Sequence, residues 1–249
     1  LCTANLPDPA IPLPEEQFNT VLYTGNETAR SITGVGFEPS FVWIKERSAG
    51  GSHRLFDQPR GVNKVIQSDA STAELARTEV TAFNADGFSL ADSVTVNQNG
   101  ITHVSWNWKA NGSGSQNTDG SINSTATSAN QTAGFSIVTY TGNNQAATIG
   151  HGLGVAPDLV IVKSIGDSGS WHVYNGVTSS DSENYYMVLD GTIALTNSGT
   201  GTVPWNNTRA TSSVFSVGGA NASTNINNAT YLAYCFASKP SFSKVGIYT

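Results

Sequence analysis

Phe18–Asn26 reads FNTVLYTGN, Phe135–Asn143 reads FSIVTYTGN, and Phe242–Thr249 reads FSKVGIYT. Each stretch is rich in β-branched and aromatic residues, and the first two stop at a Gly-Asn turn, which is the signature of a short strand. One strand that opens twice and begins a third time predicts tandem copies of a single unit. Catalytic chains rarely need such duplication, whereas surfaces built for display, spacing or adhesion do.

The match continues outward from that strand. Pro39 answers Pro157, and SFVWIKERSAGGSHRLFD answers DLVIVKSIGDSGSWHVYN without a gap. GFSL (Gly87–Leu90) answers VFSV (Val214–Val217), and THVSWNW (Thr102–Trp108) answers TYLAYCF (Thr230–Phe236) at a longer spacing, so the second copy carries an insertion in its middle. Val104, Trp106 and Trp108 alternate with His103, Ser105 and Asn107, which predicts a strand with its aromatic face towards the core in both copies. Short strands bounded by Gly, Asn, Asp and Pro predict an all-β chain of two tandem antiparallel β-sandwiches or jelly rolls. The expected division is 1–17 as an extended, proline-rich connector, 18–117 as the first sandwich, 118–240 as the second and 241–249 as the start of a third. One or two helical turns are expected over Ser71–Thr81, and a short linker over Asn111–Asn117 followed by a strand. The start at Leu1 and the strand-like close read as a window on a longer polypeptide.

Composition narrows the function classes. Hydrophobic residues make up 38% and charged residues 12% of the chain, with Ser, Thr, Asn and Gly filling the difference. The apolar residues are clustered and β-branched or aromatic, which argues against disorder. A net charge of −6, with 12 Lys and Arg in total and none clustered, argues against nucleic acid as a partner. No stretch approaches the ~20 apolar residues of a membrane-spanning helix, so no membrane insertion is expected. Cys2 and Cys235 are too few for a disulfide framework, and a free, partly buried thiol is the favoured reading over a pair.

The chemistry-bearing residues are scattered. Jelly-roll glycosidases set two carboxylates ~5–10 Å apart across a groove; Glu46 stands beside Lys45 and Arg47, while Glu74 and Glu79 sit in the expected helical turn. His53, His103, His151 and His172 form no pair at metal-ligand spacing. No catalytic residue, metal or cofactor is therefore assigned. SHRLFDQPRG reads either as a polar recognition loop carrying His53 and Arg54, or as a strand whose Arg54 and Asp57 brace a turn; the loss of charge in the second copy favours the strand. Trp171, His172 and Trp205 are further candidates for surface recognition, because the tryptophans have no counterparts in the first copy, although core packing is the commoner fate of such residues. Lys45 and Lys163 match across the copies and read as solvent-facing strand ends.

ITGVGFEPSFVWIKERS, SHRLFDQPRG, NTDGSI, IGHGLGVAPDLVIVK and TYLAYCFA, together with the two opening strands, resemble a tandem repeat domain of unknown function found in large virion proteins of tailed bacteriophages, often marine ones. The resemblance covers nearly all of 18–249. It implies a concanavalin A-like sandwich, a place on the exterior of a phage particle as tail fibre, tail-associated or head-fibre protein, and a homo-oligomer, trimeric as fibres commonly are. It implies other virion proteins and host-surface glycans as partners, and supplies no catalytic set. The rival readings are a secreted, extracellular bacterial lectin or carbohydrate-binding module, and the spacer of a polysaccharide depolymerase.

Overall fold

The computed structural model describes residues 11–199, 203–219 and 223–247. Among these the chain is all-β, with short 3-10 turns at Pro14–Glu16 and Ser182–Asn184. In the first copy, β1 (Phe18–Thr24), β3 (Phe41–Glu46), β4 (Arg54–Asp57) and β9 (Thr102–Trp108) form an antiparallel sheet in the order β1-β9-β3-β4. It faces a smaller sheet of β2 (Arg30–Thr33), β7 (Val80–Asn84) and β8 (Gly87–Leu90), in the order β2-β8-β7. A two-stranded ribbon of β5 (Lys64–Val65) and β6 (Leu75–Ala76) hangs beside β4.

The second copy repeats this order. β11 (Phe135–Thr141), β18 (Thr230–Phe236), β13 (Leu159–Ser164) and β14 (His172–Asn175) stand as β11-β18-β13-β14, and β12 (Ala147–Gly150) pairs with β17 (Val214–Val217) as β2 pairs with β8. Its main sheet is wider, extended by β10 (Ala126–Asn130) on one side and by β15 (Tyr185–Val188) and β16 (Thr196–Asn197) on the other. β15 and β16 stand where β5 and β6 stand in the first copy: Tyr185 pairs with Asn197 and Tyr186 with Thr196, as Lys64 pairs with Ala76 and Val65 with Leu75. Each copy encloses its own core: Ile32, Phe88 and Leu90 meet Val42, Ile44 and Phe56 in the first, and Ile149, Phe215 and Val217 meet Val138, Val160 and Tyr231 in the second.

The opening motif is explained by a latch present twice. Tyr23 donates its hydroxyl to the carbonyl of Val96 at 2.7 Å, and Tyr140 does the same to Thr224 at 2.7 Å. A Cβ on Gly25 would lie 2.1 Å from the Gln98 carbonyl oxygen, and one on Gly142 would lie 2.2 Å from that of Ile226, so only glycine lets the chain pass here. The loop it passes is pinned by a fully buried asparagine in each copy. Asn97 Oδ1 accepts from the Asn26 N–H and its Nδ2 donates to the Ala91 carbonyl; Asn225 Oδ1 accepts from the Asn143 N–H and its Nδ2 donates to the Gly218 carbonyl. The matched YTGN is thus a tyrosine, a glycine and an asparagine closing one end of the fold.

Several expectations are corrected. The aromatic face of β9 and β18 points away from its own core, while His103, Ser105 and Asn107 face inward and are fully buried. Alternation separates two faces without saying which is inner, and here both are covered. The inward polar groups are served locally in part: Asn107 Nδ2 donates to the carbonyls of Asn19 and Ser105 and His103 Nδ1 lies 3.0 Å from the carbonyl of Ile101, while Asn107 Oδ1 and His103 Nε2 are buried without a hydrogen-bond partner. Ser71–Thr81 is extended, because the Glu74 and Arg77 N–H groups donate to the carbonyls of Ile165 and Asn63 and so form no helical ladder. The described part of the connector holds a 3-10 turn and a buried Ile11. Phe242–Ile247 forms no strand, its sole bridge being Lys239–Ser243 among the described residues. The segment after Asn111 is tied to the second copy through a Ser115–Thr127 bridge and an Ile122–Ile149 bridge, so it does not act as a free spacer. Cys235 is a buried free thiol whose pKa burial pushes up to about 12; Cys2 lies outside the described residues.

Candidate functional site at the seam between the copies

The outer faces of the two main sheets meet. Phe41, Leu55 and Ile66 of the first copy and Phe135, Ile137, Trp171, Leu232 and Tyr234 of the second form one buried layer, flanked by partly buried Trp43, Trp108, Ile161 and Phe236. Ring centroids lie 4.4 Å apart for Phe41 and Tyr234, and 6.4 Å apart for Trp108 and Phe236, which are equivalent residues of the two copies. The faces that meet are therefore largely the same face used twice.

A charged arm from the first copy, Asp57 to Glu74, braces one side of this layer. Tyr234 donates its hydroxyl to Asp57 Oδ2 at 2.8 Å, and Arg60 Nε meets the same oxygen at 2.7 Å. The guanidinium also donates to Glu74 Oε2 at 3.1 Å and to the Leu55 carbonyl at 3.1 Å, while Lys64 Nζ lies 2.8 Å from Glu74 Oε1. Burial opposes the charge on Arg60, but Asp57, Tyr234 and Glu74 more than offset it and raise its pKa above the ordinary arginine value. Burial first, and then Asp57, push the Tyr234 hydroxyl well above its ordinary value. These groups are spent on one another, which makes the arm a clamp.

The lysines expected to face solvent belong to the same architecture. Lys163 is fully buried and donates to the carbonyls of Ser164 at 2.6 Å and Ser71 at 3.4 Å, the latter from the first copy. Burial lowers its pKa to about 8. Lys45 is half-buried and donates to the carbonyl of Glu46 at 2.9 Å, so the matched lysine in each copy clips the backbone of the next residue.

The five residues singled out for surface recognition do not assemble into one surface. Trp171 is completely buried in the seam, with Nε1 donating to the Gln67 carbonyl at 2.8 Å, and Trp205 is 2% exposed in the core of the second copy, edge-on to Tyr174. Neither can serve as an exposed platform, because each fills space that a smaller side chain would leave void. His172 is buried against Tyr186 with Nδ1 3.2 Å from the Ser170 carbonyl. His53 Nδ1 accepts from Trp43 Nε1 at 2.7 Å, and Arg54 lies 3.6 Å from Glu79, so the bracing partner of Arg54 is Glu79 while Asp57 is held by Arg60. Burial lowers the pKa of both His53 and His172.

Two features escaped sequence reasoning. The first is a row across three strands inside the first copy, Tyr23, His103 and Glu46, where the second copy has Tyr140, Tyr231 and Ser164. Tyr23 stacks on His103 at 4.9 Å and Tyr140 on Tyr231 at 5.2 Å, while Glu46 Oε2 accepts from the Gly51 N–H. Strand register alone brings these residues together, and no spacing in the sequence announces it. The second is a pair of openings along the seam. One is an apolar groove of about 360 Å³ walled by Trp43, Trp108, Leu159, Ile161 and Phe236, with Phe242 alongside. The other is a cleft of about 210 Å³ with a mixed polar and apolar lining, which holds Pro59, Lys64 and Glu74 of the first copy opposite Thr125, Thr139 and Thr230.

No curated protein and no solved structure matches the chain. One family matches residues 13–249, a span that takes in both copies, the seam and both openings. The chain belongs to that family, the Domain of unknown function (DUF7483).

Proposed function

We propose that the chain is a non-catalytic structural and adhesive element on the exterior of a phage particle, in a tail fibre, tail-associated or head-fibre protein, and that its copies are jelly-roll, concanavalin A-like domains. A trimeric assembly, contact with other virion proteins and contact with host-surface glycans belong to the same proposal. The observation that carries it is the seam. Aromatic and charged side chains that would line a substrate groove in a glycosidase are instead bonded to each other across the two copies, which locks them at a fixed spacing. Rigid spacing with a low-charge surface rich in Ser, Thr and Asn suits a particle component that makes many weak polar contacts. The phage setting itself rests on the sequence resemblance.

Immunogold electron microscopy of intact particles, with antibody raised against the chain, tests this reading. Label on the head, neck or tail fibres is expected. Particles without label, with the chain recovered as free secreted protein, would favour the lectin reading. Release of reducing sugar from host capsule or lipopolysaccharide by the purified chain would overturn the non-catalytic assignment.

A further inference from the structure

We infer that the smaller, mixed-lining cleft on the seam binds one uncharged sugar ring, an assignment that rests on the adhesive reading and gives it a location. The cleft is built by both copies. Pro59, Lys64 and Glu74 come from the first, and Thr125, Thr139, Ile165 and Thr230 from the second. Its volume of about 210 Å³ is below the range of drug-sized pockets and fits a single small ring.

Charge, hydrogen-bonding capacity and shape set the ligand class. Charge comes first: the Arg60 guanidinium is spent on Asp57, Glu74 and the Leu55 carbonyl, and Lys64 is balanced by Glu74, so no net positive charge remains for a phosphate or carboxylate. Hydrogen-bonding capacity comes second. Among the described residues the hydroxyls of Thr125, Thr139 and Thr230 have no partner within the protein, and Thr139 is otherwise buried at 8% exposed. Each hydroxyl both donates and accepts, and Lys64 Nζ keeps donors beyond its bond to Glu74, which is the mixed capacity that vicinal sugar hydroxyls require. The third is shape: Pro59 and Ile165 supply apolar surface for the C–H face of a ring. A purely apolar ligand would leave the hydroxyls dry and unpaired, which is costly.

Saturation-transfer NMR on the full chain with glucose, galactose, mannose, N-acetylglucosamine and rhamnose, each supplied singly, reads the site. At least one sugar is expected to show saturable transfer, weakened roughly tenfold or more by the double substitution Thr139→Val and Thr230→Val, which removes hydroxyls while keeping shape. The variant's fold is checked by its tryptophan fluorescence and unfolding midpoint; should it unfold, Lys64→Gln replaces it as the test variant. Transfer that survives in a folded variant, transfer from none of the five sugars, or displacement of the sugar by inorganic phosphate overturns the inference. None of these outcomes bears on where the chain sits in a particle, which the immunogold experiment reads separately.

Discussion

Asp57 is completely buried, and its charge is held by one guanidinium and one phenol. Removing either partner or the acid itself should have unequal effects. Asp57→Ala leaves Arg60, with a side chain only 2% exposed, without its principal counter-ion, and should cost about 3–5 kcal/mol. Tyr234→Phe removes one hydrogen bond to a carboxylate that still has Arg60, and should cost about 1.5–3 kcal/mol. Urea unfolding followed by tryptophan fluorescence compares them, and a larger loss for Tyr234→Phe would contradict the clamp. Lys163 makes a pH-dependent contribution of defined sign. Its folded pKa of about 8 lies below the ordinary lysine value of 10.5, so between these limits the unfolded chain binds a proton that the folded chain does not. The penalty for holding Lys163 charged in the seam is therefore full below about pH 8 and is relieved as pH rises towards 10.5. Lys163→Met should be free of this term, so the stability of the native chain relative to the variant should rise between pH 7 and pH 10; a flat difference would place the ammonium group in solvent.

At the scale of elements, each main sheet is covered on both faces, by its own smaller sheet and by the other copy. The two faces of β1, β9 and β3 are nevertheless not covered evenly. Phe41 is 1% exposed beneath Tyr234 and Phe135, whereas Leu22, on the same outer face, is 59% exposed. Phe41→Ala should cost about 3–5 kcal/mol, because the seam cannot collapse around so large a void. Leu22→Ala should stay within about 0.5 kcal/mol. Similar losses at the two positions would mean that the copies do not meet as described. The seam should also couple the copies in unfolding. Trp106 reports on the first copy and Trp205 on the second, with Trp43, Trp108 and Trp171 at the seam, and single-tryptophan variants should share one midpoint in the native seam and separate when Phe41 is truncated. The strands themselves were legible from period-two alternation and Gly-Asn punctuation, and the matched segments mark equivalent strands. The expected helical turns at Ser71–Thr81 failed because propensity was overridden by N–H partners on other segments, including Ile165 of the second copy.

For the whole molecule, all four histidines have their pKa lowered, in each case chiefly by burial: His53, His103, His151 and His172. Each binds a proton less readily folded than unfolded, so stability is complete above the ordinary histidine value of 6.5 and is lost as pH falls through it towards the folded values. The urea midpoint should therefore drop between pH 7.5 and pH 5.5, and His103→Gln should reduce that drop; an unchanged midpoint would mean that the imidazoles are solvated. That the chain is all-β, that it repeats one set of strands, and that Tyr-Thr-Gly-Asn closes β1 and β11 were all readable from residue order, because alternation and turn chemistry are local properties of a few adjacent residues. Which face of β9 and β18 is inner, the burial of Trp171 and Trp205, and the position of Glu74 across a cleft from Thr230 were set by packing. Those outcomes depend on which surface finds which partner across more than a hundred residues of chain, and a pattern of period two carries no information about what lies on the other side.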